Sequence, residues 1–111
     1  MKRNAWILVL ILSCICMAAP VPPAAADDPP HASFYVVCVP HRLCAVDAEA
    51  SSDDGYITNY FWNWGDGTST SGTRSDPSHV YATAGTYTIT LTITDNASQT
   101  DFTSIQVQVP N

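Results

Sequence analysis

Thr86-Tyr87-Thr88-Ile89-Thr90-Leu91-Thr92-Ile93-Thr94-Asp95 alternates threonine with large apolar side chains almost without interruption. Successive side chains of a strand point to opposite faces. The stretch therefore predicts a strand with Tyr87, Ile89, Leu91 and Ile93 in a core and the threonines toward water. Ala84-Gly85 turns the chain into it, and Asn96 to Thr100 turns the chain out. A second strand, Thr103 to Val109, places Ile105, Val107 and Val109 inward and Gln106 and Gln108 outward.

Upstream the same period of two recurs. Ile57 to Trp64 carries Tyr60, Trp62 and Trp64 on one face. It ends in Gly65-Asp66-Gly67, where an Asp-Gly pair suits a hairpin turn through positive φ. Thr68 to Asp76 reads as a loop. His79 to Tyr81 is a short strand, Ala32 to Cys38 places Phe34, Val36 and Cys38 on one face, and Leu43 to Ala48 is short. No amphipathic helix is found from residue 32 onward. About seven short strands separated by regular turn signals predict an all-β sandwich. Tyr87, near the start of its strand, is placed to bond back to the preceding turn as a tyrosine corner does.

The first residues have another character. Lys2 and Arg3 precede the apolar run Trp6 to Ala19, prolines follow, and Ala24-Ala25-Ala26 offers a cleavage site. The run is too short for a spanning helix, which needs roughly 20 residues. Residues 1–26 are read as a signal peptide, 27–31 as a Pro-rich leader and 32–110 as one domain. The stretch before Cys14 is too short for lipoprotein anchoring there. Residues 27–111 hold two arginines against ten acids, a net charge of −8 with histidine neutral. That sign excludes nucleic acid and anionic membrane as partners. Cys38 and Cys44, the pair left after removal of residues 1–26, are expected to form a disulfide in an oxidising, secreted or periplasmic setting.

Several landmarks come in a familiar order. C-x5-C at 38–44 is followed by S-S-D-D-G-Y-I at 51–57 and Y-F-W-N-W-G-D-G at 60–67. H-V-Y-A at 79–82 and A-G-T-Y-T-I-T-L-T-I-T-D-N at 84–96 complete the set. This pattern resembles the PKD (polycystic kidney disease) domain, of the disulfide-bearing type found in bacterial secreted proteases and polysaccharidases. The resemblance implies a seven-stranded immunoglobulin-like β-sandwich, without catalytic activity, that serves in adhesion, substrate binding or spacing. It also implies that Trp62 is the buried core tryptophan. Asn63 stands where the family commonly has aspartate.

No G-x-S-x-G, H-E-x-x-H or P-loop is present, so no enzyme is expected. His79 is expected to make a structural hydrogen bond. Phe61 faces opposite Tyr60 and Trp62, where a solvated strand usually carries a polar residue. With Tyr56, Asn59 and Asn63 it forms the candidate ligand site, an aromatic platform flanked by amides. Tyr35 and Phe102 are further outward aromatics. Asp47, Asp53, Asp54, Asp66 and Asp95 are loop acids that read either as ordinary turn formers or as calcium ligands gathered at one end of the sandwich. No other cofactor is expected. The expected function is a monomeric binding module for an extracellular protein or polysaccharide. The alternative is a spacer, or the remnant of a truncated hydrolase, with no ligand of its own.

Overall fold

The computed structural model describes residues 28–111. The expected signal peptide lies outside the described residues. The fold is an immunoglobulin-like sandwich of seven strands: β1 (Tyr35–Val39), β2 (Leu43–Asp47), β3 (Ile57–Asn63), β4 (Ser69–Gly72), β5 (Ser78–Val80), β6 (Gly85–Asp95) and β7 (Thr100–Val109). They form two antiparallel sheets, ordered β1-β2-β5 and β4-β3-β6-β7.

The alternation read from the sequence is the packing observed. Ile89, Leu91 and Ile93 are fully buried and Tyr87 half-buried. Thr86 and Thr88 are exposed, while Thr90, Thr92 and Thr94 are half-covered by neighbouring strands. The smaller sheet answers with Val36, Cys44 and Val46, joined by Phe34 and Ala48 from its flanks. Along the core runs a ladder of rings. Phe34 meets Trp62 edge-on at 5.1 Å, and Trp62 stacks on Trp64 at 5.8 Å. Trp64 stacks on His79 at 4.8 Å, His79 meets Tyr81 edge-on at 4.6 Å, and Tyr81 stacks on Tyr87 at 4.2 Å. Offset and edge-to-face pairs of this kind add to the area they bury.

Three local features complete the frame. The Cys38–Cys44 disulfide forms between directly opposed residues of β1 and β2, with Cα atoms 4.1 Å apart. The Tyr87 hydroxyl donates to the Thr83 carbonyl at 2.8 Å, which is the tyrosine corner expected. The three-residue link Pro40–Arg42 holds His41 and Arg42 at positive φ. Its Arg42 donates from Nε to the Tyr81 carbonyl (2.9 Å) and from its backbone to the Pro110 carbonyl (3.1 Å).

The structure departs from the sequence reading at several strand ends, with β3 ending at Asn63 and β5 spanning Ser78–Val80, and three further differences shape the frame. Ser69–Gly72 is a strand rather than part of a loop, paired to β3 from Asn63↔Ser69 to Tyr60↔Gly72. β1 begins at Tyr35, not at Ala32. The segment before it is a strap instead: His31 and Ser52 exchange backbone bonds, and Ala32 N–H donates to Asp101 Oδ2 at 2.7 Å. In the β3–β4 hairpin, positive φ falls on Gly65 and Gly67 and not on Asp66. A Cβ on Gly65 would sit 2.4 Å from the Thr88 carbonyl oxygen, so the loop lies directly on β6.

Candidate functional site

The outward face of the larger sheet carries the aromatic platform. Pairing aligns Ser71 with Phe61, Phe61 with Thr92, and Thr92 with Phe102. Phe61 is 39% exposed and Phe102 69%. Two aromatic rings thus stand in one row across the sheet, separated by the threonine between them. With strands spaced about 4.8 Å apart, the two backbone positions lie ~10 Å apart. The rows on either side are polar: Asn59, Thr94 and Thr100 on one, and Ser69, Asn63, Thr90 and Ser104 on the other. Asn59 Oδ1 accepts from the Ser71 hydroxyl at 3.2 Å, and the Thr90 and Ser104 hydroxyls lie 2.8 Å apart.

The expected ligand set is therefore brought together only in part. Phe61, Asn59 and Asn63 share the face, but Asn63 Oδ1 is committed to the Gly65 N–H at 3.0 Å. Tyr56 is 66% exposed and lies in the loop before β3, where it lines an open polar cleft with Ser51, Ser52, Asp53 and Tyr60. The sequence reading placed Phe102 outward but not beside Phe61. β7 begins at Thr100 rather than at Thr103, and the register Thr92↔Phe102 brings the two rings into one row.

The five candidate carboxylates do not gather. Among the described residues no three His, Cys, Asp or Glu side chains converge as metal ligands. Asp66, in the β3–β4 hairpin, is at the opposite end of β3 from Asp95, whose partner there is Ile57. Burial alone would raise the Asp66 carboxyl, but hydrogen bonds from Thr68 and His79 outweigh it and hold it below the usual range. His79 Nε2 lies 2.8 Å from Asp66 Oδ2, the structural bond expected of it. Asp47 accepts from the Tyr35 hydroxyl (3.2 Å) and the Glu49 N–H (2.9 Å). Asp54 accepts from the Asp28 N–H at 3.1 Å.

Asp53 and Asp95 do come together. Asp95 is 2% exposed. Its Oδ1 accepts the N–H groups of Ala97 (2.9 Å) and Gln99 (2.8 Å), which closes the β6–β7 turn. Its Oδ2, and Oδ1 of Asp53, are buried without a hydrogen-bond partner. Burial pushes the Asp53 carboxyl upward; the Gly55 N–H opposes this, and the neighbouring Asp95 and Asp54 charges add to the rise.

A model of the PKD domain family matches residues 18–109. Among curated relatives, collagenase ColA of Bacillus cereus is 47% identical over 45 residues, 40% of this chain and 4% of the enzyme. Pre-pro-metalloprotease PrtV of Vibrio cholerae is 38% identical over 72 residues, 62% of this chain and 8% of that protein. The chain thus spans less than a tenth of the curated relatives it matches. Among solved structures, the PKD1 domain of Vibrio anguillarum Epp aligns with a TM-score of 0.68 at 32% identity, covering 76% of this chain and 96% of that one. A structure described as carbohydrate-binding modules from the β-sandwich superfamily aligns with a TM-score of 0.71 at 28% identity, over 77% of this chain and 36% of that one. With the landmark motifs, the two-sheet topology and the matched length in agreement, the chain belongs to the PKD-domain family.

Proposed function

We propose that this chain is a secreted or periplasmic, non-catalytic module that binds an extended polysaccharide across the outward face of β4-β3-β6-β7. The observation that carries the reading is the pair Phe61 and Phe102, exposed and in register on either side of Thr92. Ring faces stack on sugar rings, and flanking hydroxyls and amides complete their hydrogen bonding. A separation of ~10 Å suits alternate rings of an extended sugar chain. The resemblance to carbohydrate-binding modules supports this chemistry. The disulfide supports an oxidising location. Among the described residues no helix is long and apolar enough to cross a membrane.

The test is retention on insoluble polysaccharides, with collagen as a protein comparison. Phe61→Ser and Phe102→Ser should each weaken polysaccharide binding at least ~10-fold while costing under about 1 kcal/mol of stability, as exposed substitutions do. Retention unchanged in both variants removes the platform. Retention on no polymer at all favours the spacer, and retention on collagen alone favours a protein ligand.

A cation at Asp53 and Asp95 is a second reading, favoured by their two buried oxygens that have no donor. Calcium is coordinated by oxygen ligands, six to eight in number. Asp53 and Asp95 would hold it through these two oxygens, and Asp47, Asp54 and Asp66 would not take part. Calcium should then raise the melting temperature in a concentration-dependent manner, and Asp53→Asn should abolish the rise. A flat melting temperature up to millimolar calcium retires this reading.

A further inference from the structure

The outward face of the smaller sheet takes no part in the platform, yet it holds most of the exposed apolar side chains. Of the seven large apolar residues that stay exposed among the described ones, four lie here: Tyr35, Val37, Val39 and Val80. The cause is in the sequence. β1 reads Y-V-V-C-V and β2 reads L-C-A-V-D, apolar at every position but Asp47. Alternation that buries one set of these side chains therefore turns a second apolar set toward water, where a one-sided sheet is normally polar. Pairing arranges the outward set in rows across β1, β2 and β5. One end row is Val39, Leu43 and Val80, and the middle row is Val37, Ala45 and Ser78. The other end row holds Tyr35 and Asp47, joined by a hydrogen bond of 3.2 Å. A contiguous exposed apolar patch of this kind marks an interaction surface.

Charge identifies what covers it. The middle row and the Val39 row carry no charged side chain. Asp47 and the exposed Glu49 make one end of the face acidic. The Pro40–Arg42 link makes the other end basic, with His41 exposed and the Arg42 guanidinium held there by Tyr81 O and Asn111 Oδ1. We propose that a second copy of this chain packs on the face. Sheets packed face to face keep their strands roughly aligned, so the two-fold axis of such a pair runs either parallel to the strands or along the rows. An axis parallel to the strands lays acidic end on acidic end. An axis along the middle row lays the strands antiparallel, sets Val37 against Val37, and brings Asp47 and Glu49 of each copy beside His41 and Arg42 of the other. Two chains with a net charge of −8 over residues 27–111 repel each other, and only the second arrangement offsets this at the contact. Three strands ~4.8 Å apart and five residues long present a face of about 14 Å by 17 Å. With side-chain relief that buries ~500 Å² per copy, or ~1,000 Å² in all, the lower limit for a specific interface. The dimer is therefore reversible, and it carries its two platforms on opposite outer faces. Its formation does not depend on the polysaccharide reading.

The experiment is sedimentation velocity of the purified chain with no polysaccharide present. The wild type should show a monomer–dimer equilibrium with a Kd of about 10–100 μM, as a small interface allows. Val37→Lys sets two ammonium groups against each other at the axis and should weaken the dimer at least ~10-fold. Val37 is exposed, so the variant should keep the melting temperature of the wild type within a few degrees. Glu49→Arg tests the axis. It should weaken the dimer, and adding His41→Glu should restore it, because the two positions face each other across the pair. Backbone NMR shifts in the 15N-labelled chain should change on dilution at Val37, Ala45 and Val80 and stay in place at Phe61 and Phe102. A chain that remains monomeric up to ~1 mM, well above the expected Kd, overturns the proposal. So does a dimer that Val37→Lys leaves intact, or dilution shifts confined to the larger sheet. A dimer that Glu49→Arg strengthens overturns the antiparallel arrangement.

Discussion

Asp95 offers a sharp test of how the β6–β7 hairpin is held. Its Oδ1 takes two backbone N–H groups, those of Ala97 and Gln99, inside a turn that also includes the left-handed Ser98. Asp95→Ala removes both bonds. Hydrogen bonds to a charged acceptor contribute about 1.5 kcal/mol or more each, so the gross loss is about 3 kcal/mol. Removing the unpartnered Oδ2 returns part of it, leaving a net cost of about 2–3 kcal/mol. For a domain of this size that lowers the melting temperature by roughly 10–20 °C. Asp95→Asn separates the contributions. Its amide oxygen can keep both backbone bonds, and its NH₂ can donate toward Asp53 Oδ1, so stability at pH 7 should stay within about 1 kcal/mol of wild type. Urea unfolding followed by the fluorescence of buried Trp62 and Trp64 measures both variants. If Asp95→Asn loses as much as Asp95→Ala, the hairpin depends on the charge rather than on the two accepted bonds, and the reasoning fails.

Asp66 sets an acid limit. Its folded carboxyl titrates below its ordinary value of 3.8, so the stability it contributes is present above about pH 4 and lost as pH falls through the folded value. The melting temperatures of wild type and Asp66→Asn should therefore converge below pH 4, and a constant gap down to pH 2 would contradict the assignment. Replacing Cys38 and Cys44 together by serine should cost about 2 kcal/mol in urea unfolding, the value for so short a loop on the chain-entropy account. Tyr87→Phe removes the hydroxyl bond to the Thr83 carbonyl and should cost about 1 kcal/mol, with no change in retention on polysaccharide.

The parts of this molecule that were legible in the sequence are those governed by local alternation. β6 has eleven residues with a strict period of two, and the burial of Ile89, Leu91 and Ile93 follows from it because a one-residue slip would expose every apolar side chain; Tyr87 stays half-buried, and the burial of Asp95 is not legible from alternation. β4 was not legible. Ser69-Thr70-Ser71-Gly72 has no large apolar residue, since an edge strand facing solvent on one side has little to bury. The candidate site was half legible for a similar reason. Direction follows from alternation, so Phe61 and Phe102 were both placed outward. Juxtaposition follows from register, and β7 begins at Thr100, earlier than the alternation at Thr103 to Val109 showed. The acids were the least legible. Aspartate is common wherever the chain turns, and composition does not say at which end of a strand a turn will fall.

The strap at His31 and the closure at Arg42 have a mechanical meaning. Ala32 is tied beside Asp101 at the start of β7, and Arg42 beside Pro110 just past its end. β7 has ten residues, so the two anchor points lie ~30 Å apart along the strand direction. A tension applied between residues 28 and 111 would therefore run along the strands rather than across them. β7 would be loaded in shear against β6, and β1 in shear against β2, so that many backbone bonds share the force at once instead of opening one at a time. The Cys38–Cys44 bond would stop the link between β1 and β2 from lengthening. A sandwich fastened in this way can carry load along its strands while its larger sheet keeps its pairing.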